Sequence, residues 1–305
     1  MPASEATHKI VQTILDGVTG SPESGVPGLV FVAIDKHGDY VTTNASGKRG
    51  ITSSSAMDEN TVFWIASCTK LLATIACLQC AEQGKLQLDD SKHLYKYCPE
   101  LEAVKVLQDD GTLVDKQHDI TLRMLLSHTA GFGYEFFSPK LRDYGRPTGF
   151  DVFRGTEAEI VKMPLVNQPG EKWEYGINID WAGIYLERAT GVPLGEHMDK
   201  HIFDPLGVTD VGFFPTAEMK ANLAHMHQRW PGSLDKIEER DQCMSAPLRA
   251  ETADDKKRVL NSGGAGCFAK PAEYVSKSDV SLSLCGQKQK ERRLIPIPQR
   301  SWQRC

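Results

Sequence analysis

No stretch of this 305-residue chain is apolar for long enough to cross a bilayer. The most apolar run, Leu71 to Leu78, falls far short of the ~20 residues that a spanning helix needs. Residues 1–20 scatter Glu5, Lys9 and Asp16 among their apolar positions and lack the continuous apolar segment of a secretory leader. A soluble, cytoplasmic protein with no membrane partner is therefore expected. Excess positive charge is missing too: the net charge is −5, so no global field draws phosphate backbones, and nucleic acid is excluded as a partner. Neither a repeat period nor a Gly-x-Ser-x-Gly elbow occurs. The eight cysteines, without a leader, read as reduced thiols. Cys77 and Cys80 form half a zinc motif, but only Cys98 and His93 lie nearby and no second close pair follows, so neither a metal nor a cofactor is expected.

What is present is an ordinary globular composition, 40% hydrophobic, 25% charged and 8% aromatic. Its length suits one α/β core with a helical insertion. Ile10, Val11, Ile14, Leu15 and Val18 recur at helical spacing within residues 4–18, with Gly20 as a stop. Gly28 to Ile34 and Asp39 to Asn44 read as two strands of a hairpin in the sheet core. A helix opens at Ser67, with Leu71, Ile75 and Leu78 on one face and Gly84 closing it. Thr121 is suited to cap a short helix Leu122 to Leu126, and Ile179 to Thr190 reads as a helix stopped by Gly191.

The chemistry resides first in Ser67 and Lys70. A serine hydroxyl is a poor nucleophile until a base takes its proton, and a lysine three positions later on a helix lies on the same face, one turn away. Such a lysine acts as base only when neutral. The spacing alone is common: Ser233-Leu234-Asp235-Lys236 repeats it in a polar run. Ser67 differs because the apolar stretch Val62 to Ala66 precedes it and an apolar helix follows. The competing reading is a capped structural helix. His128 follows the helix Leu122 to Leu126 in a turn, which favours a structural or channel-lining role over a serine–histidine pairing.

Three segments in order, Ile65-Ala66-Ser67-Cys68-Thr69-Lys70-Leu71-Leu72, then Gly84-Lys85-Leu86-Gln87-Leu88-Asp89-Asp90, then Ile120 to Gly131, resemble the serine β-lactamase and penicillin-binding-protein superfamily, in its esterase and class C-like branch. Trp173-Glu174-Tyr175-Gly176-Ile177-Asn178-Ile179-Asp180-Trp181-Ala182-Gly183 is similar to fungal acyltransferases of the lovastatin type. The resemblance covers residues 1 to about 275. It implies an α/β (α+β) fold, an antiparallel sheet flanked by helices with a helical subdomain. It also implies that Ser67 is acylated, that Lys70 accepts its proton, and that Tyr175 relays protons to the leaving and attacking groups. Without it, Tyr175 would read as a loop aromatic packing its ring. The superfamily's Asn two positions after this Tyr is replaced here by Ile177, with Asn178 one place later, a shift that the lovastatin-type branch shares. Trp173, Asn178, Phe132 and Tyr134, with Trp181, are candidates for an apolar acyl pocket or for the core. The implied partners are a small-molecule acyl donor, thioester or ester, with a carrier protein as a possible source, and an alcohol acceptor of the polyketide kind.

The pattern stops after Phe268. Family members continue with strands that complete the sheet, one carrying Lys-Thr-Gly or its equivalent and a second oxyanion donor; none is found here. From Lys277 onward seven basic residues stand against two acidic ones, leaving −10 for residues 1–276. Residues 276–305 are expected to be an atypical, disordered basic tail after a catalytic domain of residues 1–275. The alternative function is a truncated, catalytically impaired paralogue that at most binds a ligand.

Overall fold

The computed structural model describes residues 5–20, 25–35, 39–230 and 232–275. The expected basic tail and the strands sought after Phe268 fall outside these residues. Helix α1 (Glu5–Thr19) leads into a hairpin of β1 (Gly28–Ile34) and β2 (Tyr40–Gly47), antiparallel from Gly28 opposite Gly47 to Ile34 opposite Tyr40. Next come β3 (Phe63–Trp64), a 3-10 turn over Ala66–Cys68 and α2 (Thr69–Glu82). A helical region follows: α3 (Ser91–Tyr97), α4 (Pro99–Ala103), α5 (Leu122–Leu126), α6 (Pro139–Tyr144), α7 (Glu157–Val161) and α8 (Asn178–Thr190). A small hairpin of β4 (Lys105–Leu107) and β5 (Leu113–Asp115) lies within it. The second half adds β6 (Val211–Gly212), a hairpin of β7 (Met226–Trp230) and β8 (Ser233–Arg240), and β9 (Phe268–Ala269). Ser233–Lys236 thus lies in a strand rather than opening a helix.

This is a mixed α/β fold of small antiparallel sheets flanked by helices. Its three-stranded sheet runs β3-β9-β6, with Trp64 opposite Phe268 and Gly212 opposite Phe268 on the other side. That central strand brings the Ser262–Cys267 loop against the start of α2: Ile65 N–H donates to the Cys267 carbonyl at 3.0 Å, and Cys267 N–H donates to Thr69 Oγ1 at 3.0 Å. Among the described residues the β1–β2 hairpin pairs with no third strand and forms a sheet of its own, rather than joining the sheet core.

Two helices turn differently from their apolar periodicity. In α1 only Leu15 is buried, while Ile10 and Ile14 are each 60% exposed. The inward residues of β2 explain this, because Thr42, Asn44 and Ser46 are buried and polar and must be hydrogen-bonded. Gln12 accepts from Asn44 at 3.0 Å, Asp16 accepts from Ser46 at 2.6 Å, and His8 lies 3.0 Å from Thr42 Oγ1. In α2 the buried side is Leu72, Ala73, Ile75, Ala76, Cys77 and Cys80, and Leu78 is exposed. Small side chains there let α2 lie against α8, where Cys77 Sγ donates to the Ala182 carbonyl at 3.6 Å. The short local features hold as read: Thr121 accepts from Met124 N–H to cap α5, and Gly191 closes α8 with φ of 72°.

Candidate active site

The chain enters the site under strain. Ala66, directly before Ser67, has φ of 44°, a left-handed conformation that costs a residue with a Cβ about 1–2 kcal/mol. The following 3-10 turn leaves Ser67 exposed at the N-terminal end of α2, with Lys70 one turn on and half-buried. Lys70 Nζ lies 3.1 Å from Ser67 Oγ. It also donates to the Tyr134 hydroxyl at 3.2 Å and to the Gly264 carbonyl at 2.8 Å, so all three of its hydrogens have acceptors. Tyr175 donates to Ser67 Oγ at 2.6 Å, and its ring faces Lys70 Nζ at 4.6 Å from the centroid. Ser67, Lys70 and Tyr175, separate in sequence, therefore meet at one hydroxyl.

Tyr175 is held from both sides. Gly176 after it packs so tightly on the Phe132–Gly133 backbone that a Cβ there would overlap the Phe132 carbonyl. His128 lies against the ring at 4.9 Å between centroids, and Trp173 stacks on it at 6.0 Å and 16°. Asn178, fully buried on the first turn of α8, directs its two amide hydrogens at three acceptors, one hydrogen being shared: His128 Nδ1 at 3.1 Å and the carbonyls of Phe132 and Glu174. An Nδ1 that accepts leaves the imidazole proton on Nε2, so this histidine is neutral. Burial, reinforced by the Lys70 charge, pushes its pKa down to about 4.

That shift has a stability consequence. An unfolded histidine takes a proton near 6.5 and His128 only near 4. Between those values the unfolded chain binds the extra proton, so stability is lost as pH falls from 6.5 to 4, and no more is lost below. The loss attributable to His128 is on the order of 3 kcal/mol. His197, pushed to about 4 by burial, adds a contribution of the same sign. His128 has φ of 58°, so asparagine is the replacement that tolerates its backbone. Urea unfolding of His128→Asn at pH 7 and at pH 4.5 is expected to show a smaller acid loss than wild type, and an equal loss would refute the assignment.

The pocket candidates separate in space. Trp173 is 64% exposed and Tyr134 is 4% exposed, with its hydroxyl on Lys70. Phe132 and Trp181 are stacked on each other at 6.0 Å and are 0% and 1% exposed, so both are core, and Asn178 is a buried support for His128 rather than a wall. Sequence reasoning missed the exposed Phe136 and Phe137 (50% and 65%), which continue the aromatic surface from Tyr134 and Tyr175. It also missed the Gly264 carbonyl and Asp180, which is buried and accepts from Ser262 Oγ at 2.6 Å. Cys80 stands 3.8 Å from His197 Nε2, and His93 turns to the Tyr185 hydroxyl. Among the described residues no three His, Cys, Asp or Glu side chains group as a metal site, and no helix is long and apolar enough to cross a membrane.

A serine, a lysine and a tyrosine joined at the head of a buried helix, in a mixed α/β fold, define the serine β-lactamase class of folds. The chain belongs to the Beta-lactamase family, whose model matches residues 9–281. Lovastatin esterase of Penicillium rubens is 40% identical to it over 222 residues, 68% of this chain and 55% of that protein. Monacolin J acid methylbutanoyltransferase of Aspergillus terreus is 38% identical over 267 residues, 82% of this chain and 61% of that protein. Unliganded simvastatin synthase from Aspergillus terreus superposes with a TM-score of 0.73 at 30% identity, covering 94% of this chain and 69% of that one. The chain thus spans between about half and three fifths of the length of these two curated relatives.

Proposed function

We propose that this chain is a serine acyltransferase or carboxylester hydrolase that works through an acyl-enzyme on Ser67. The observation that carries this reading is the shared hydroxyl: Ser67 Oγ stands 3.1 Å from Lys70 Nζ and 2.6 Å from the Tyr175 oxygen. Once Lys70 has shed one proton, it keeps two N–H bonds, to Tyr134 and Gly264, and turns its lone pair to the serine proton. Ser67 Oγ attacks the carbonyl carbon of the donor as its proton passes to Lys70. Negative charge growing on the carbonyl oxygen faces the N-terminal end of α2. The bond to the leaving group then breaks, and the leaving thiolate or alkoxide takes a proton through Tyr175. In the second half an alcohol or water attacks the acyl-serine, Tyr175 and Lys70 accept its proton, and the ester or acid departs as Ser67 is reprotonated.

The substrates of this reading are a small acyl thioester or ester, with a carrier protein as a candidate donor, and a polyketide-type alcohol. The relatives' names support it, one naming an esterase and the other a methylbutanoyltransferase. The exposed aromatic surface of Trp173, Phe136 and Phe137 beside Tyr175 and Tyr134 suits apolar groups. Residues 1–275 form the catalytic domain in this proposal. A cytoplasmic location accords with the free thiols of Cys68, Cys77, Cys80, Cys98, Cys243 and Cys267.

Incubation with a butyryl thioester followed by digestion and mass spectrometry tests the proposal. A butyryl adduct mapped to Ser67 is expected. A chain that never carries acyl on Ser67, with fresh thioester in excess, would instead be the impaired, binding-only paralogue.

A further inference from the structure

Lys70 is aimed by a residue that lies outside the serine–lysine–tyrosine cluster. Its shortest contact is the Gly264 carbonyl at 2.8 Å. That carbonyl belongs to a turn closed by the Ser262 carbonyl, which accepts from Gly266 N–H at 2.8 Å and Ala265 N–H at 3.2 Å, yet none of these bonds engages Gly264 itself. The anchor on Gly264 comes from α8. Asp180, on the first turn of that helix and 3% exposed, accepts from Gly264 N–H at 3.1 Å and from Ser262 Oγ at 2.6 Å, both on Oδ1. Ser262 Oγ in turn accepts from Ala265 N–H at 3.1 Å. The two sides of Gly264 are therefore engaged at once, its N–H on Asp180 and its carbonyl on Lys70.

The turn sits on α8 without clearance. A Cβ on Gly264 would overlap the Asp180 carboxylate, and one on Gly263 would stand 2.7 Å from the Ile179 carbonyl. Burial raises the pKa of Asp180, so an acid is kept where its ionised form is disfavoured. A residue needed only to fill that space would not carry a carboxyl group.

The geometry points to Asp180 as a positioning residue that clamps the Ser262–Gly264 turn so that the Gly264 carbonyl holds Lys70 Nζ against Ser67. This rests on the reading of Ser67 and Lys70 given above, and two readouts separate the failure of either. The first is the rate of Ser67 acylation by p-nitrophenyl butyrate at saturation, with its KM. The second needs no activity: the rate of Lys70 reductive methylation by formaldehyde and cyanoborohydride, followed by mass spectrometry relative to exposed Lys92.

Asp180→Ala is expected to acylate at least 30-fold more slowly with KM within threefold, and to methylate at Lys70 at least fivefold faster. Asp180→Asn keeps an acceptor oxygen and is expected to return both values to within threefold of wild type, a rescue that loss of general packing would not give. Should Asp180→Ala fail to fold, Ser262→Ala removes one arm of the clamp and is expected to speed Lys70 methylation at least twofold. Unchanged Lys70 methylation in the folded Asp180→Ala chain, or in Ser262→Ala where the former does not fold, overturns the proposal. So does an Asp180→Asn chain as impaired as Asp180→Ala. If wild type forms no acyl-Ser67, the functional reading fails and the methylation rates still decide the clamp.

Discussion

Ser67→Ala is expected to lower turnover of an activated butyryl ester by a factor on the order of 10⁴ or more, and to leave no hydroxylamine-resistant adduct on the peptide that carries residue 67. The magnitude follows from what is removed: without Oγ neither Lys70 nor Tyr175 has an atom to act on, and the acyl group must pass directly to water. Cys68 makes the adduct half of the experiment necessary. It is an exposed free thiol next to the nucleophile, and thiols exchange with thioesters without a catalytic site. An acyl group on Cys68 is a thioester, which neutral hydroxylamine cleaves quickly, whereas an ester on Ser67 survives. The peptide that carries residue 67 should therefore retain label after hydroxylamine in wild type and retain none in Ser67→Ala. Undiminished resistant label in Ser67→Ala, mapped by digestion to a hydroxyl other than that of residue 67, would end the Ser67 assignment.

The parts of this site legible in the sequence are those held by local geometry. Ser67 and Lys70 are one helical turn apart, and Thr121 caps its own helix. Tyr175 was legible only by resemblance, since its partner lies 108 residues away and no periodicity carries that information. The Gly264 carbonyl is 194 residues from Lys70, and backbone groups have no sequence signature at all. Asp180 stands on the first turn of a helix, where an acid ordinarily serves the helix dipole at the surface, so nothing local marks it as buried. Its burial is decided by Ser262, 82 residues on. The misjudged helix faces have separate physical causes. From Leu71 to Leu78 every position of α2 but Thr74 is apolar, so periodicity cannot choose a side, and close packing on α8 selects the small residues Ala73, Ala76 and Cys77. In α1 the apolar stripe was clear, but the surface it met was not: β2 points Thr42, Asn44 and Ser46 inward, and hydrogen-bond satisfaction turns Gln12 and Asp16 toward them.

Lys70→Met is expected to slow acylation of Ser67 by about 10³-fold with KM little changed, within the range of general-base contributions. Methionine fills much of the same volume, so the loss reports the missing amine rather than a cavity. Lys70→Arg distinguishes what that amine does. A guanidinium remains protonated at any working pH and cannot take the serine proton, although it supplies the same positive charge. If Lys70 is the base, arginine is as poor as methionine; if Lys70 only stabilises charge, arginine retains most of the rate and the base assignment falls. Tyr175→Phe is expected to cost about 10²-fold, because the phenol that hands the proton on from Lys70 to the leaving group is gone. The double variant Lys70→Met/Tyr175→Phe should then be nearly as slow as Lys70→Met alone, since the tyrosine only passes on the proton that the lysine has taken from Ser67, the residue they contact at 3.1 and 2.6 Å. Full multiplication of the two losses in a stopped-flow burst assay would mean that the lysine and the tyrosine serve separate steps, and the proton relay that joins them at Ser67 would have to be abandoned.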